Sequence, residues 1–236
     1  MKRVITGFIL LSGLYLVSCT PSEVASEEAL PPTESTATTT PAAQTPDTST
    51  DLEAASNDFL IVPGERVGPI TRETTADDLV DLFGEAALTN TIWPGPEGAF
   101  NLPATEVNLG ADQSFLVVWL DEARTELFSV TDFGSDWKTP EGLSVGMPLS
   151  ELEAILGPFQ LSGFGWDYGG YAFLEGTRLA EYQGKLYVRL SPSAAEAAEE
   201  DMLAVSGEGV FSSDNPSVQA IAPTVVSLDV EFRQLE

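Results

Sequence analysis

Apolar residues recur at helical spacing in a short segment near the middle of the chain, Leu149–Leu156, with Glu151 and Glu153 on the outside. Pro148 suits the first turn, where its missing N–H is not needed. Gly157 ends the segment, because glycine enters the left-handed conformation at low cost. A helix of about ten residues is marginal by itself, so we expect it to pack on a sheet.

The same pattern occurs once before. Ile70–Gly84 (ITRETTADDLVDLFG) aligns without gaps on Leu143–Gly157 (LSVGMPLSELEAILG), with apolar and glycine positions in agreement. Thr74 is the predicted N-cap of this first helix, with Asp77 three residues later in a capping-box arrangement. The match predicts an internal repeat.

Four further segments predict strands: Phe115–Leu120, Glu126–Asp132, Lys185–Leu190 and Val226–Phe232. The first is apolar on both faces and is typical of a central strand, whereas the others alternate as antiparallel strands with one buried face do. Phe128 and Val226 are predicted to face the core. The predicted fold is therefore α+β, with two tandem repeats of a short helix packed on an antiparallel β-sheet, at 59–138 and 139–236.

The densest cluster of aromatic residues and glycines follows the second helix, at 159–171. Alternating rings and glycines predict a strand and turn in which the backbones approach closely. One interpretation is a plug of the core. The other is a ligand platform for sugars or peptides, made of Trp166, Asp167 and Tyr168 with Tyr171 nearby, since an exposed ring beside a carboxylate suits such ligands.

The chain begins with two basic residues and an apolar run, Val4–Val17, which is too short to span a bilayer but fits a signal peptide at 1–18. Leu16–Cys19 resembles the lipobox of bacterial lipoproteins. The resemblance implies cleavage before Cys19 and acylation of that residue, hence an exported, membrane-anchored lipoprotein. Thr20 at the next position, by resemblance to enterobacterial lipoproteins, implies the outer membrane, with the protein facing the periplasm or the cell surface.

The next segment, 19–58, is rich in Thr, Pro, Ala and acidic residues, and from Thr20 onward it contains no Lys, Arg or aromatic residue. Such a composition cannot bury enough apolar surface to offset the entropy lost on ordering. It predicts a disordered tether between the lipid and the folded region.

The whole chain has 37 acidic and 10 basic residues, for a net charge of −27. From Phe59 onward 29 acidic residues face 8 basic ones. This balance argues against a nucleic-acid partner and against direct docking on anionic lipid, so the expected membrane contact is the lipid on Cys19. Solubility explains the charge most simply; a cationic partner or a salty habitat are alternatives.

Histidine is absent and Cys19 is the single cysteine. Ser-His-Asp and Cys-His mechanisms are therefore excluded, and no metal site, phosphate-binding loop or other cofactor site is predicted. A pair of carboxylates remains open as catalytic chemistry, with Asp167 and one of Glu175, Glu181 or Asp136 as candidates.

The segment from Val145 to Pro158 resembles the helix signature of the SmpA/OmlA (BamE-like) lipoproteins and of the β-lactamase-inhibitor-like α/β repeats. That resemblance implies a short helix on an antiparallel sheet that binds proteins. The segments Trp137–Thr139, Leu149–Glu153 and Phe159–Gly170, the last containing GFGWDYGG, are similar to a family of uncharacterised bacterial exported proteins, which implies no particular activity.

Together these features predict a lipid-anchored, non-catalytic binding or scaffolding module of the cell envelope, with an envelope protein as its partner and its oligomeric state left open. The alternative is a glycan-binding or glycan-cleaving lipoprotein that uses Trp166, Asp167 and Tyr168. A sugar site predicts Trp166 exposed in a cleft with converging carboxylates. A scaffold predicts Trp166 buried, with an apolar patch elsewhere.

Overall fold

Antiparallel strands form most of the regular structure. The computed structural model describes residues 58–95, 98–193 and 198–233. The predicted signal peptide (1–18), the predicted lipidation site Cys19 and the predicted tether up to residue 57 lie outside the described residues.

The described residues contain four short helices: α1 (Ala76–Phe83), α2 (Leu149–Leu156), α3 (Glu199–Ala204) and α4 (Pro216–Ala220). At the start of α1, the Thr75 hydroxyl accepts a hydrogen bond from the Asp78 N–H, and the Asp78 carboxylate accepts one from the Thr75 N–H. The predicted capping pair, Thr74 and Asp77, was thus wrong by one residue. The Thr74 hydroxyl instead accepts from the N–H of Thr71 in the preceding turn.

Glycine ends both of the longer helices, as the sequence predicts. Gly84 follows α1 and Gly157 follows α2, each with a φ of 79°. A residue with a side chain would adopt that angle only at a cost, so the helices end where glycine allows the chain to turn away.

Twelve strands occur in the described residues: β1 (Ile61–Val62), β2 (Arg66–Val67), β3 (Ile70–Thr71), β4 (Leu88–Pro94), β5 (Asn101–Val107), β6 (Phe115–Trp119), β7 (Leu127–Thr131), β8 (Gln160–Ser162), β9 (Tyr171–Phe173), β10 (Leu186–Ser191), β11 (Val210–Ser212) and β12 (Thr224–Glu231). The first three form a small sheet. The other nine form one sheet in the order β11-β8-β9-β10-β12-β7-β6-β5-β4. Every pairing of these strands is antiparallel.

One main hydrophobic core joins the small sheet, one face of the large sheet and the helices. Each helix contributes to it, with Leu79 from α1, Leu152 from α2, Met202 from α3 and Val218 from α4. Strand residues alternate between the two faces of a sheet. We call the face of the nine-stranded sheet that points away from this core the outer face.

A second, smaller apolar cluster lies on the outer face, where Ala104, Leu116, Val118 and Phe128 are buried. The ring of Trp93, on the edge strand β4, lies 6.4 Å from the ring of Phe128 on β7. Two strands separate β4 from β7, and a flat sheet would hold them about 14 Å apart. This half of the sheet therefore curls toward its outer face.

The predicted α+β fold with antiparallel sheets is confirmed. The strand predicted at Phe115–Leu120 is central as expected, since β6 pairs with β5 and β7 and all five of its residues are buried. No helix among the described residues is long and apolar enough to cross a membrane.

Two predictions about side chains that face the core were wrong, both because of a shift in strand register. Phe128 is buried on the outer face, since the pairing of β6 with β7 shifts next to Trp119. Val226 is 46% exposed, since a shift in the pairing of β10 with β12 places Val225 opposite Leu190 and in the core.

Candidate binding site

The loop between β8 and β9, residues 163–170, depends on glycine at both ends. A Cβ atom at Gly163 would collide with the carbonyl oxygen of Gly207, and one at Gly170 would collide with that of Leu190. Gly170 also has a φ of +80°. The predicted close approach of backbones in this region is therefore present, and it brings the loop against the end of β10.

Polar contacts position the aromatic part of the loop. The indole N–H of Trp166 donates to the carbonyl oxygen of Gly163 at 3.0 Å. The Ser162 hydroxyl donates to the carbonyl oxygen of Tyr168 and accepts from the N–H of Tyr171. These bonds hold the rings of Trp166 and Tyr168 together, with their centroids 5.5 Å apart.

The predicted aromatic cluster divides into a buried and an exposed part. Phe159, Leu161 and Phe164 are buried and belong to the main core. Trp166 is half-buried, and Tyr168 is 43% exposed. The core-plug interpretation fits the buried residues. The ligand platform stays a prediction, and it would use the exposed part of the cluster.

Trp166 lines an open cleft of about 560 Å³ on the outer face, which we call the Trp166 cleft. Half of its lining residues are apolar: Phe164, Trp166, Leu190, Pro192 and Val226. The polar side chains are those of Asp167, Arg189 and Ser191. Volumes of roughly 300–1,000 Å³ with a few polar groups are usual for ligand sites.

Arg189 is the basic residue of this cleft, and no sequence pattern marked it as a binding residue. Its Nε donates to the carbonyl oxygen of Gly169 at 3.0 Å, and its guanidinium lies over the ring of Tyr171 at 5.5 Å. Arg189 and Tyr171 are paired across β10 and β9. The alternation along β10 could have placed Arg189 on the outer face, but only the strand pairing puts it beside Tyr171.

Of the four predicted binding residues, Trp166 and Asp167 line the cleft, while the other two support it. Tyr168 packs on Trp166, and Tyr171 lies beneath Arg189. Burial, and then the charge of Asp229, raises the pKa of the Tyr171 hydroxyl. The Tyr171 hydroxyl therefore keeps its proton to a higher pH than an ordinary tyrosine does.

A second cleft of about 380 Å³ lies in the first half of the sheet, beside Trp93, and we call it the Trp93 cleft. Its polar lining includes the carboxylates of Glu106 and Asp132. Burial raises the pKa of Asp132, whose φ is +53°. None of the described residues that line this cleft is basic.

Carboxylates on β12 lie on the outer face between the two clefts. Asp229 accepts hydrogen bonds from the hydroxyls of Thr131 and Ser227, and Glu231 accepts one from the hydroxyl of Tyr187. Burial raises the pKa of Asp229 and of Glu231, and the hydroxyl donors offset part of that rise.

The carboxylate pairs considered from the sequence are not assembled at the Trp166 cleft. Asp167 lines it, whereas Glu175, Glu181 and Asp136 do not. In the described part of the chain, no group of three or more Asp, Glu, His or Cys side chains is arranged to hold a metal ion. The groups that line this cleft are a ring, an apolar wall, one guanidinium and one carboxylate.

Comparison with models of protein families and with curated proteins gives no match. Among solved structures, the chain is similar to the crystal structure of the uncharacterized protein yfeY from Escherichia coli. The identity is 15% and the TM-score 0.43, over 72% of this chain and 98% of that chain. The interpretation of the site therefore depends on its own residues.

Proposed function

We propose that this protein is a lipid-anchored binding or scaffolding module of the cell envelope that works by contact and not by catalysis. The observation that carries the proposal is the Trp166 cleft, an open site of which half of the lining residues are apolar. Its partner is an envelope protein, in keeping with the resemblance to the BamE-like lipoproteins.

The module is built of two related halves, at 59–138 and 139–236. Helices α1 and α2 both have eight residues and begin 73 positions apart, at Ala76 and Leu149, in agreement with the sequence alignment. Four antiparallel neighbours follow each helix, β4 to β7 in one half and β8, β9, β10 and β12 in the other. The last strands of the two halves, β7 and β12, pair with each other. These features support a duplication.

The anchor is the acylated Cys19, which follows the signal peptide 1–18, and Thr20 after it favours the outer membrane. Replacing Cys19 by alanine should abolish incorporation of labelled palmitate and release the protein from the membrane fraction. Labelling that persists in Cys19→Ala would contradict the anchor, and it would leave the cleft proposal untouched.

The partner can be sought by photocrosslinking of the full chain in intact cells. Position 168, which is 43% exposed beside the cleft, receives a photoreactive phenylalanine analogue. Position 80 on α1 is the matched control, because Val80 is 42% exposed and lies away from the cleft. We expect an adduct with one envelope protein from position 168 and none from position 80.

Loss of that adduct in Trp166→Ala, with unchanged membrane attachment, would support the cleft as the contact. Equal adducts from both positions would contradict it. So would an adduct from position 168 that persists at full yield in Trp166→Ala.

A glycan is the second candidate ligand, because the half-buried ring of Trp166 lies in a cleft beside the Asp167 carboxylate. Titration of tryptophan fluorescence with cell-wall fragments and common glycans tests this candidate, with Trp166→Phe as the control for the other three tryptophans. The absence of any change that depends on Trp166 would argue against it.

A further inference from the structure

Like most basic side chains of the described residues, Arg189 forms no salt bridge, but it is the basic side chain that lines the Trp166 cleft. The described residues form two salt bridges, and neither includes Arg189. Only its Nε has a hydrogen-bond acceptor among the described residues, namely the carbonyl oxygen of Gly169. The two terminal Nη groups are held in a fixed place and remain available to a ligand.

The neighbouring carboxylate of Asp229 is close enough for the charge of Arg189 to offset part of the rise in its pKa that burial causes, but it is not a hydrogen-bonding partner of the guanidinium. Its oxygens accept hydrogen bonds from the hydroxyls of Thr131 and Ser227, and no salt bridge joins it to Arg189 among the described residues. The guanidinium is instead stacked on the ring of Tyr171. A planar fork of this kind matches a carboxylate, which it binds through two parallel hydrogen bonds.

The loop offers further donors in the same cleft. Gly165, Trp166 and Asp167 all line it, and their backbone N–H groups donate to no acceptor within the described residues. Two features limit the charge of the ligand. The cleft has one basic side chain, and Asp167 repels a second negative charge. A single carboxylate fits these conditions better than a phosphate, which carries up to two charges.

The remaining wall of the cleft is apolar and belongs to Phe164, Pro192 and Val226 beside the Trp166 ring. The C-terminal end of a polypeptide joins one carboxylate to one apolar side chain in this way. We propose that the Trp166 cleft takes the C-terminal carboxylate of the partner protein, held by Arg189, with the last apolar side chain of that partner against Trp166 and Val226. This inference rests on the proposed binding function.

The test uses the full chain in detergent micelles and calorimetric titration with synthetic pentapeptides that end in leucine, valine or phenylalanine. Each peptide is acetylated and otherwise uncharged, and each is made with a free carboxylate and with a C-terminal amide. We expect the free acids to bind roughly tenfold more tightly than the amides, or better, as a charged hydrogen-bonded pair implies. This comparison requires no variant.

Variants then assign the preference to one residue. Arg189→Gln should reduce the difference between acid and amide to less than about twofold, and Arg189→Lys should restore part of it, since lysine keeps the charge but loses the fork. Arg178→Gln is the matched control, because it removes the same charge at a residue that is exposed and does not line the cleft. It should leave the preference intact.

Equal binding of acid and amide by the unaltered chain overturns the inference, as does binding of no peptide. Loss of the preference in Arg178→Gln to the same degree overturns it too, because the effect would then be one of net charge. In each of these cases an adduct at position 168 would leave the proposed binding function standing. Absence of the adduct would contradict the proposed binding function, whatever the result of the peptide titrations.

Discussion

The two clefts of the outer face have the same kind of aromatic residue but differ in their charged side chains. In each, a half-buried tryptophan lies close to the turn that joins the first two strands after a short helix, Trp93 in one half and Trp166 in the other. The Trp93 cleft adds two carboxylates and no base. The Trp166 cleft adds Arg189 and a single carboxylate.

The difference arises from the loops and from the curl of the sheet, not from the strands themselves. In the first half, β4 curls over until the rings of Trp93 and Phe128 lie 6.4 Å apart on the outer face. In the second half, Gly163 and Gly170 let the loop lie against the end of β10, and the outer face stays open beside Arg189. The first half of the sheet therefore presents an apolar and acidic surface, and the second half presents a surface with a fixed cation.

The largest effects should come from the core that the two halves share. Leu79→Ala in α1 and Leu152→Ala in α2 each remove a fully buried leucine of the same core, so each should lower the free energy of unfolding by about 2–5 kcal/mol. Both should shift one common urea transition, observed by circular dichroism and by tryptophan fluorescence. Val80→Ala on the exposed side of α1 is the control and should change little.

Two separate transitions, each moved by one variant alone, would contradict a shared core. They would mean that 59–138 and 139–236 fold as independent domains.

The next effect distinguishes the two loops. Gly170→Ala should lower the free energy of unfolding by about 2 kcal/mol or more, because the new Cβ meets the carbonyl oxygen of Leu190 in addition to the cost of the positive φ. Gly98→Ala, in the turn between β4 and β5, has a φ of +67° but nothing within 4 Å of the new Cβ, so it should cost about 1 kcal/mol. Urea unfolding measures both.

Equal costs for the two glycines would show that backbone crowding is not what holds the second loop. Binding at the Trp166 cleft should also fall in Gly170→Ala and not in Gly98→Ala.

The smallest effect concerns Asp229, on the outer face between the clefts. Burial raises its pKa in the folded state, so the folded protein binds this proton more tightly than the unfolded chain does. The contribution of Asp229 to stability is therefore greatest below the ordinary aspartate value of 3.8 and declines as the pH rises through that value toward the folded one. In Asp229→Asn the decline in stability that is due to this carboxylate should disappear.

Unfolding free energies measured from pH 4 upward check this expectation. Asp81→Asn on α1 is the control for the loss of one negative charge. The same pH slope in Asp229→Asn and in the unaltered chain would show that burial of this carboxylate does not affect stability.

Much of the fold could be predicted from local patterns. The apolar spacing of Leu149–Leu156 and its final glycine located α2, and the apolar run at Phe115 located the central strand β6. Both signals are local, since they depend on how neighbouring side chains alternate along one element. The capping residue of α1 was missed by one position because two adjacent threonines both suit that role.

The candidate site was only partly predictable. Trp166 and Asp167 were identified as ring and carboxylate in a glycine-rich segment, and both line the cleft. Val226 was assigned to the core because its strand alternates regularly, and only the shift in register opposite Leu190 exposes it. Arg189 was not identified, because it lies at a regular alternating position of the predicted strand Lys185–Leu190.

The sequence by itself determined the α+β character, the positions of the longer helices, the strong negative charge and the absence of histidine chemistry. The tertiary structure alone decided that one strand pairing places Arg189 over Tyr171, that a bulge exposes Val226 and that the first half of the sheet curls. The physical reason is the range of the interactions. Periodicity assigns each side chain to a face of its own element, but register, curl and loop packing depend on contacts between residues far apart in the chain.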